Sequence, residues 1–516
     1  MNDNKTSKNS IVAKFAVPIS FLILFFLAAN FTDCDLVTFW KRRNHLTDLV
    51  VDMIPPDFSY IQKILLPLFY TIQMSVTGTV LGIFFALVLS PFGAANLGFP
   101  AVIRRILRIV IQILRSFPAL ILALTATFLF GLGTFAGTFA ITLYTFAIMT
   151  KLTYEDASAA DVKAYQALRA MGVSKYVAYI HGILPEIIPG FLTNALYLLE
   201  TNVRHSSILG YVGAGGIGLL LNEKISWLEY DKVGTILLML FLTVCVIEYF
   251  SRYLAALIRK ERTIKKEQAR LLLLFLAALF LICTFTLSLP DFSRTSPQTL
   301  RNMFAGFLQP DWSFFFSAEK DGLGYLLLET VCIAFIGTVI GAIVSAPLAF
   351  LNTKRFVPAP VSFLFNLVIM VIRSVPFLVY GLIFIRVSGP GAFTGVLTLA
   401  VCSIGLLTKR FTEALDALDP RPYHALLAMG VRPLPAICHS VLPQLKPVFT
   451  SIILYRFDVN IREASVLGLV GAGGIGASLI FSMNQYAWEK AGAIMLGLIL
   501  LVWFIDMVSE KIGAGN

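Results

Sequence analysis

This sequence predicts an all-α polytopic membrane protein with about twelve transmembrane helices, built as two copies of a six-helix unit. Three observations lead there. The 516 residues are 57% hydrophobic and 14% charged, far more apolar than an average soluble domain. Several apolar runs reach the ~20 residues that cross a hydrocarbon core. Third, the chain repeats itself. Arg204 to Gly218 reads RHSSILGYVGAGGIG and Arg462 to Gly476 reads REASVLGLVGAGGIG, identical at eleven of fifteen positions and offset by 258 residues. The same offset aligns Arg115-Ser116-Phe117-Pro118 with Arg373-Ser374-Val375-Pro376, Ala170-Met171-Gly172 with Ala428-Met429-Gly430, and Leu184-Pro185 with Leu442-Pro443. A repeat this long is a duplicated domain, not a solenoid unit. In so apolar a chain it marks a transporter with two-fold pseudo-symmetry inside one polypeptide.

In chain order, the first half is expected to cross at Ala13–Phe31, Pro67–Leu89, Ile106–Phe130, Thr134–Thr150, Ile187–Leu209 and Val233–Ile258. The second half is expected to cross at Leu271–Leu289, Leu326–Phe350, Val361–Ile385, Ala392–Leu407, Val448–Leu467 and Gly492–Val508. The repeats therefore occupy 1–258 and 271–516, joined by a basic linker at 259–270. Lys5, Lys8, Lys14, Arg104, Arg105, Arg108, Lys354, Arg355 and the linker cations share one side if both termini are cytoplasmic. With six spans each, the repeats are parallel. The net charge of +11 then reflects orientation and anionic lipid, not nucleic acid. The first span has a basic flank but no small-residue cleavage pattern, which reads as an uncleaved anchor. The six cysteines form no CxxC pair and read as small apolar packers.

The loop between spans four and five is about 35 residues in each half, far longer than a membrane hairpin needs. Asp161–Gly172 has Ala164, Leu168 and Met171 at helical spacing and a glycine stop. A second helical stretch ends at Leu184-Pro185, where proline can open the next helix. Two readings fit these residues: a rigid protrusion for a partner's groove, or an interfacial helix on lipid.

The cluster Gly213-Ala214-Gly215-Gly216-Ile217-Gly218 and its twin from Gly471 formally match a dinucleotide fingerprint, with Asp231 or Glu489 further on. That fingerprint has meaning only between a strand and a helix, and these clusters end membrane spans. Close helix packing or a broken helix that exposes backbone to a cavity is expected instead. Just before each cluster lie Asn202 and Arg204, matched by Asn460 and Arg462. Arginine in an apolar span costs at least ~2.5 kcal/mol at the bilayer centre and so faces protein or water. Lining the path of an anionic solute is one role; a structural pair with Glu200 or Asp458, four residues earlier, is the other. The Arg115 and Arg373 segments read as a proline kink with a snorkelled cation.

No GxxxxGK[ST], HExxH or GxSxG occurs, and the five histidines have no metal spacing, so nothing argues for an enzyme or a metal site. A secondary transporter would need coupling carboxylates, and the symmetric Glu248 and Asp506 fall near the ends of the sixth spans. It also leaves the long loops without a role, as does a channel or scaffold.

Glycine followed thirteen residues later by a Leu-Pro proline resembles the EAA loop of ABC importer permeases, which docks on a cytoplasmic ATPase. The resemblance assigns coupling to Gln166, Ala167, Gly172, Leu184 and Pro185, and to His424, Ala425, Gly430, Leu442 and Pro443. The family's glutamate is replaced by Gln166 and His424, so no glutamate-specific salt bridge carries over. Each half as a whole is similar to a permease of the type I (MetI-like) importer class, and the RxxS(I/V)LGxVGAGGIG wording is close to phosphonate importers. Phosphite and hypophosphite permeases share that motif, while methionine and betaine importers share only its glycine core. The resemblance implies a bacterial plasma-membrane permease for a phosphorus oxyanion. It further implies two ATPase copies that bind ATP and magnesium, a solute-binding protein outside, and no cofactor on this chain. A translocation path would use Asn202, Arg204, Gly213, Gly215, Gly216, Asn460, Arg462, Gly471, Gly473 and Gly474.

Overall fold

The computed structural model describes residues 19–259, 266–288, 290, 297–317, 319 and 322–514. The expected cations Lys5, Lys8, Lys14, Lys260, Arg262 and Lys265 and the span ends at Ala13 and Leu289 lie outside them. Helices account for nearly all regular structure, with no strand among the described residues. The first repeat runs α1 Ile19–Phe31, α2 Leu36–Lys41, α3 Arg43–Asp52, α4 Ile61–Gly93, α5 Ala101–Ser116, α6 Ala119–Phe130 and α7 Thr134–Ala159. It continues with α8 Lys163–Ala170, α9 Lys175–Gly182, α10 Leu184–Leu209, α11 Ile217–Ser226 and α12 Tyr230–Ile258. The second runs α13 Lys266–Phe285, α14 Pro297–Leu308, α15 Trp312–Phe315, α16 Leu323–Asn352, α17 Ala359–Ser374, α18 Phe377–Ser388 and α19 Ala392–Ala417. It ends with α20 Arg421–Ala428, α21 Pro433–Ala436, α22 Leu442–Leu467, α23 Gly476–Asn484 and α24 Trp488–Ala514.

Among the described residues seven helices are long and apolar enough to cross a membrane, or ten if each of three bent pairs is one span. Ile19–Phe31 and Arg270–Phe285 are apolar but shorter. The third span of each half departs from a continuous helix. α5 and α6 meet at 94°, and α17 and α18 at 88°. Proline is the cause. Pro118 and Pro376 cannot donate to a preceding turn, and they hold Phe117 and Val375 in extended backbone. What the sequence reads as a kink is a near right-angled break. The short helices α11 and α23, which follow the glycine clusters, are also absent from the sequence reading.

Two compact units emerge: Leu49–Phe304, and residues up to Asp48 together with Ala305 onward. The opening span of each repeat is therefore carried with the body of the other repeat. In one unit the Phe21 ring on α1 meets Phe335 on α16 at 5.5 Å, and Phe31 meets Tyr325 at 4.9 Å. In the other, Gln73 Nε2 on α4 donates to the Cys283 carbonyl on α13 at 3.0 Å and to the Thr286 hydroxyl at 2.8 Å.

Within each unit the tightest pairing follows small residues. A Cβ at Gly78 or Gly82 on α4 would lie 2.8 Å from Ile141 Cβ or 2.7 Å from Thr145 Cβ on α7. Gly337 and Gly341 on α16 repeat this against Leu399 and Ser403 on α19, at 2.7 and 2.4 Å. Hydrogen in place of a side chain lets the backbones approach, the usual source of helix affinity in lipid, where burial of apolar surface gives no drive. Both pairs have GxxxG spacing, a signal that the sequence reading did not use.

Candidate functional site

The polar residues of α10 and α22 fall on opposite faces. Asn202 is fully buried, and its Nδ2 donates to Thr79 on α4 at 2.7 Å and to Thr145 on α7 at 2.8 Å. Asn460 does the same in the second repeat, donating to Thr338 on α16 at 2.6 Å and to Ser403 on α19 at 2.9 Å. Each asparagine ties three helices together, because an amide in an apolar interior must find partners. Two residues on, about 200° around the helix, Arg204 pairs with Glu200 at 2.9 Å. Arg462 pairs likewise with Asp458. The pairs are largely buried, with 14% of the Arg204 and 16% of the Arg462 side chain exposed. The asparagine and the arginine thus serve different surfaces of the helix.

The glycine clusters are breaks, not continuous packing helices. After α10 a 3-10 turn, Gly210–Val212, ends in a left-handed Gly213 at φ 84°, and Gly215 and Gly216 follow at 77° and 78°. Gly471, Gly473 and Gly474 reproduce these values at 77°, 76° and 78°. Such backbone is nearly reserved for glycine. The first two glycines of each loop are half-buried and the third is buried. Side chains from elsewhere satisfy the backbone. Thr71 and Thr330 hydroxyls accept from Ile217 and Ile475 N–H groups at 2.9 and 3.0 Å. The Gly213 and Gly471 carbonyls accept from Gly133 and Gly391 at 3.0 and 2.9 Å. In the second repeat alone, the Glu329 carboxylate accepts from Gly474 N–H at 3.1 Å.

The loops between spans four and five form helix, glycine turn, helix, then re-entry, with α9 and α10 bent by 69°. Asp161 and Asp419 open them identically, each accepting a backbone N–H two residues on, Lys163 or Arg421, at 3.0 Å. The Lys163 backbone and side-chain bonds hold the Asp161 carboxyl below the usual range. Tyr165 anchors α8 by donating to the Leu97 carbonyl at 2.6 Å, and burial pushes its phenol up. Gln166, Ala167, Gly172, His424, Ala425 and Gly430 are exposed, as are Met171 and Met429 at the tips. Gly172 at φ 85° and Gly430 at φ 82° face open space. Leu184 and Leu442 begin the re-entering helices, and Pro185 and Pro443 are exposed in their first turns. The second loop differs in detail. A π-turn at Ile437–Val441 replaces the second half of α9, and Cys438 is exposed there rather than packed in apolar surroundings.

One feature had no sequence signal in the repeat itself. Arg456 on α22 pairs with Glu463 at 2.8 Å and donates from Nε to Ser403 at 3.2 Å, nearly fully buried. The first repeat has Leu198 and His205 at those places. Glu248, one of the symmetric carboxylates, is buried and pairs with Arg252.

Comparisons with known proteins agree with this duplicated geometry. A protein-family profile described as "Binding-protein-dependent transport system inner membrane component" matches residues 78–263 and again 337–512. The phosphate-import permease protein PhnE of Mycolicibacterium smegmatis is 27% identical over 90% of this chain and 88% of its own length. The phosphite transport system permease protein PtxC of Stutzerimonas stutzeri is 36% identical over 36% of this chain and 67% of its own. A cryptic phosphonate transport system permease of Escherichia coli K12, PhnE2, is 37% identical over 23% of this chain and 96% of its own. The match falls once on each repeat and covers more than half of the sequence, so the chain belongs to the inner-membrane component family of binding-protein-dependent transport systems, carrying its domain twice.

Proposed function

We propose that this chain is the membrane path of an ATP-driven importer for a small phosphorus oxyanion, phosphonate or phosphite, delivered by a solute-binding protein. The observation that carries the proposal is the family domain occurring twice in one chain whose relatives bear the names of phosphate, phosphite and phosphonate permeases. The repeats 1–258 and 271–516 act as two permease subunits joined by the 259–270 linker, so one chain replaces a dimer. Each exposed α8 or α20 region, with its glycine turn and Leu-Pro re-entry, docks one copy of a cytoplasmic ATPase. ATP and magnesium belong to that partner. Both termini lie on the ATPase side in a bacterial plasma membrane.

The physical logic is that of an anion in a low-dielectric path. Arg204 and Arg462 offer planar donors that match phosphorus oxyanion geometry. Their partners Glu200 and Asp458 keep the local charge near zero, so the solute is passed on rather than held. Asn202 and Asn460 position the helices, and the glycine breaks let the polypeptide turn back near the path.

The test is uptake into liposomes holding this chain with its ATPase and binding protein. Labelled phosphite and methylphosphonate should accumulate only with ATP inside the reaction, while methionine should not. Accumulation of methionine without either oxyanion would overturn the substrate assignment.

A further inference from the structure

We infer that the stripe Thr193, Tyr197, Glu200 and Arg204 on α10, and its counterpart Ser451, Tyr455, Asp458 and Arg462 on α22, each form the water-facing side of that helix in its own repeat, and that each tyrosine hydroxyl meets the passing oxyanion. This rests on reading the chain as an importer's membrane path.

The spacing of four, three and four residues puts each set within roughly 60° of arc on its helix. From end to end it spans about 16 Å, half of the ~30 Å hydrocarbon core. The opposite face is occupied: it carries Asn202 or Asn460 into the repeat's own helices. The charged end of the stripe is closed and the tyrosines stand open: Glu200 and Asp458 are buried, Thr193 is half-buried and Ser451 exposed. Arg204 and Arg462 are largely buried, whereas Tyr197 is 38% and Tyr455 61% exposed. Thr193 and Ser451 turn their hydroxyls to the carbonyls of Pro189 and Pro447 at 2.9 and 3.1 Å.

The duplication supplies an internal comparison. Other positions on these helices have drifted in chemistry: Leu198 against Arg456, Thr201 against Val459, His205 against Glu463. The stripe has kept hydroxyl, tyrosine, carboxylate and guanidinium in order at all four places. A run of this polarity does not face lipid, where ionisable groups are expensive. Packing alone does not require it either, since the bundle-facing side of the same helices tolerated Leu198 becoming Arg456. Water, and a polar solute, is the environment that suits both repeats. A phenol donates one hydrogen bond without charge, so it can accompany an anion along the path without trapping it.

The test uses the complete transporter in liposomes. Cys34, Cys245, Cys283, Cys332, Cys402 and Cys438 are replaced by alanine, and Tyr197→Cys, Tyr455→Cys or the control Ile188→Cys is added. Ile188 is exposed but lies half a turn from the stripe on α10. A membrane-impermeant anionic thiosulfonate should modify Tyr197→Cys and Tyr455→Cys at least ~10-fold faster than Ile188→Cys, because thiolates form and react in water. Equal or slower modification would overturn the stripe. If the alanine background fails to fold, Tyr197→Phe and Tyr455→Phe in the natural chain decide the matter. Oxyanion uptake at saturating binding protein should fall about 3- to 10-fold, the loss of one hydrogen bond, with ATP turnover retained. Unchanged uptake in both would overturn the role of the hydroxyls. Fast cysteine modification in a transporter that carries no phosphorus oxyanion would instead sink the substrate reading and leave the stripe standing.

Discussion

Asn202 and Arg204 sit two residues apart on one helix and serve opposite sides of it. The Asn202 amide reaches two neighbouring helices at 2.7 and 2.8 Å, while Arg204 turns away to Glu200 at 2.9 Å. Asn460 and Arg462 repeat the arrangement. One helix per repeat therefore holds its bundle together with one face and presents charge on the other.

The asparagines predict a stability effect. Asn202→Ala removes two hydrogen bonds and strands two buried hydroxyls, which costs about 1–3 kcal/mol. Asn460→Ala should behave alike. A lowered thermal midpoint in detergent is the expected result, and an unchanged midpoint for both would remove their positioning role.

The arginines predict a transport effect instead. Arg204→Gln and Arg462→Gln should reduce oxyanion uptake about tenfold, roughly the worth of one charge-assisted hydrogen bond, with assembly intact and the binding protein's affinity unaltered. Lysine at either place should restore part of the rate if charge dominates, and little if planar geometry does. Normal uptake by the glutamine variants would mean the Arg–acid pairs are structural.

Glycines separate into two kinds. Gly341→Ala would place a methyl carbon 2.4 Å from Ser403 Cβ, so α16 and α19 must part. An overpacking loss of about 1–3 kcal/mol follows. Gly172 and Gly430 have open space, so Gly172→Trp and Gly430→Trp add bulk to an exposed left-handed turn rather than a clash. Those variants should insert normally yet lose co-purification with the ATPase. If both retained full ATPase binding and transport, the loop would not be the docking element.

Much of this was legible in the sequence. The 258-residue repeat fixed the duplication, hydropathy placed the long spans, and Gly172 with Pro185 located the protruding loop. The right-angled breaks at Pro118 and Pro376 were not legible, because a sum of hydropathy over Ile106–Phe130 is blind to direction. Proline before an apolar run signals a change of course but not its angle. The division of Asn202 and Arg204 between two faces is hidden for a related reason: residues two apart in sequence lie about 200° apart around a helix. The Arg456–Glu463 pair escaped because it exists in one repeat only, and symmetry was the guide. Helix exchange between repeats needs long-range packing that no local pattern encodes.

The central claim is that one chain does the work of two permease subunits. Native mass spectrometry of the purified transporter measures this directly. One copy of this chain with two ATPase copies is the expected mass. A complex holding two full-length copies of this chain and two ATPases would contradict the account.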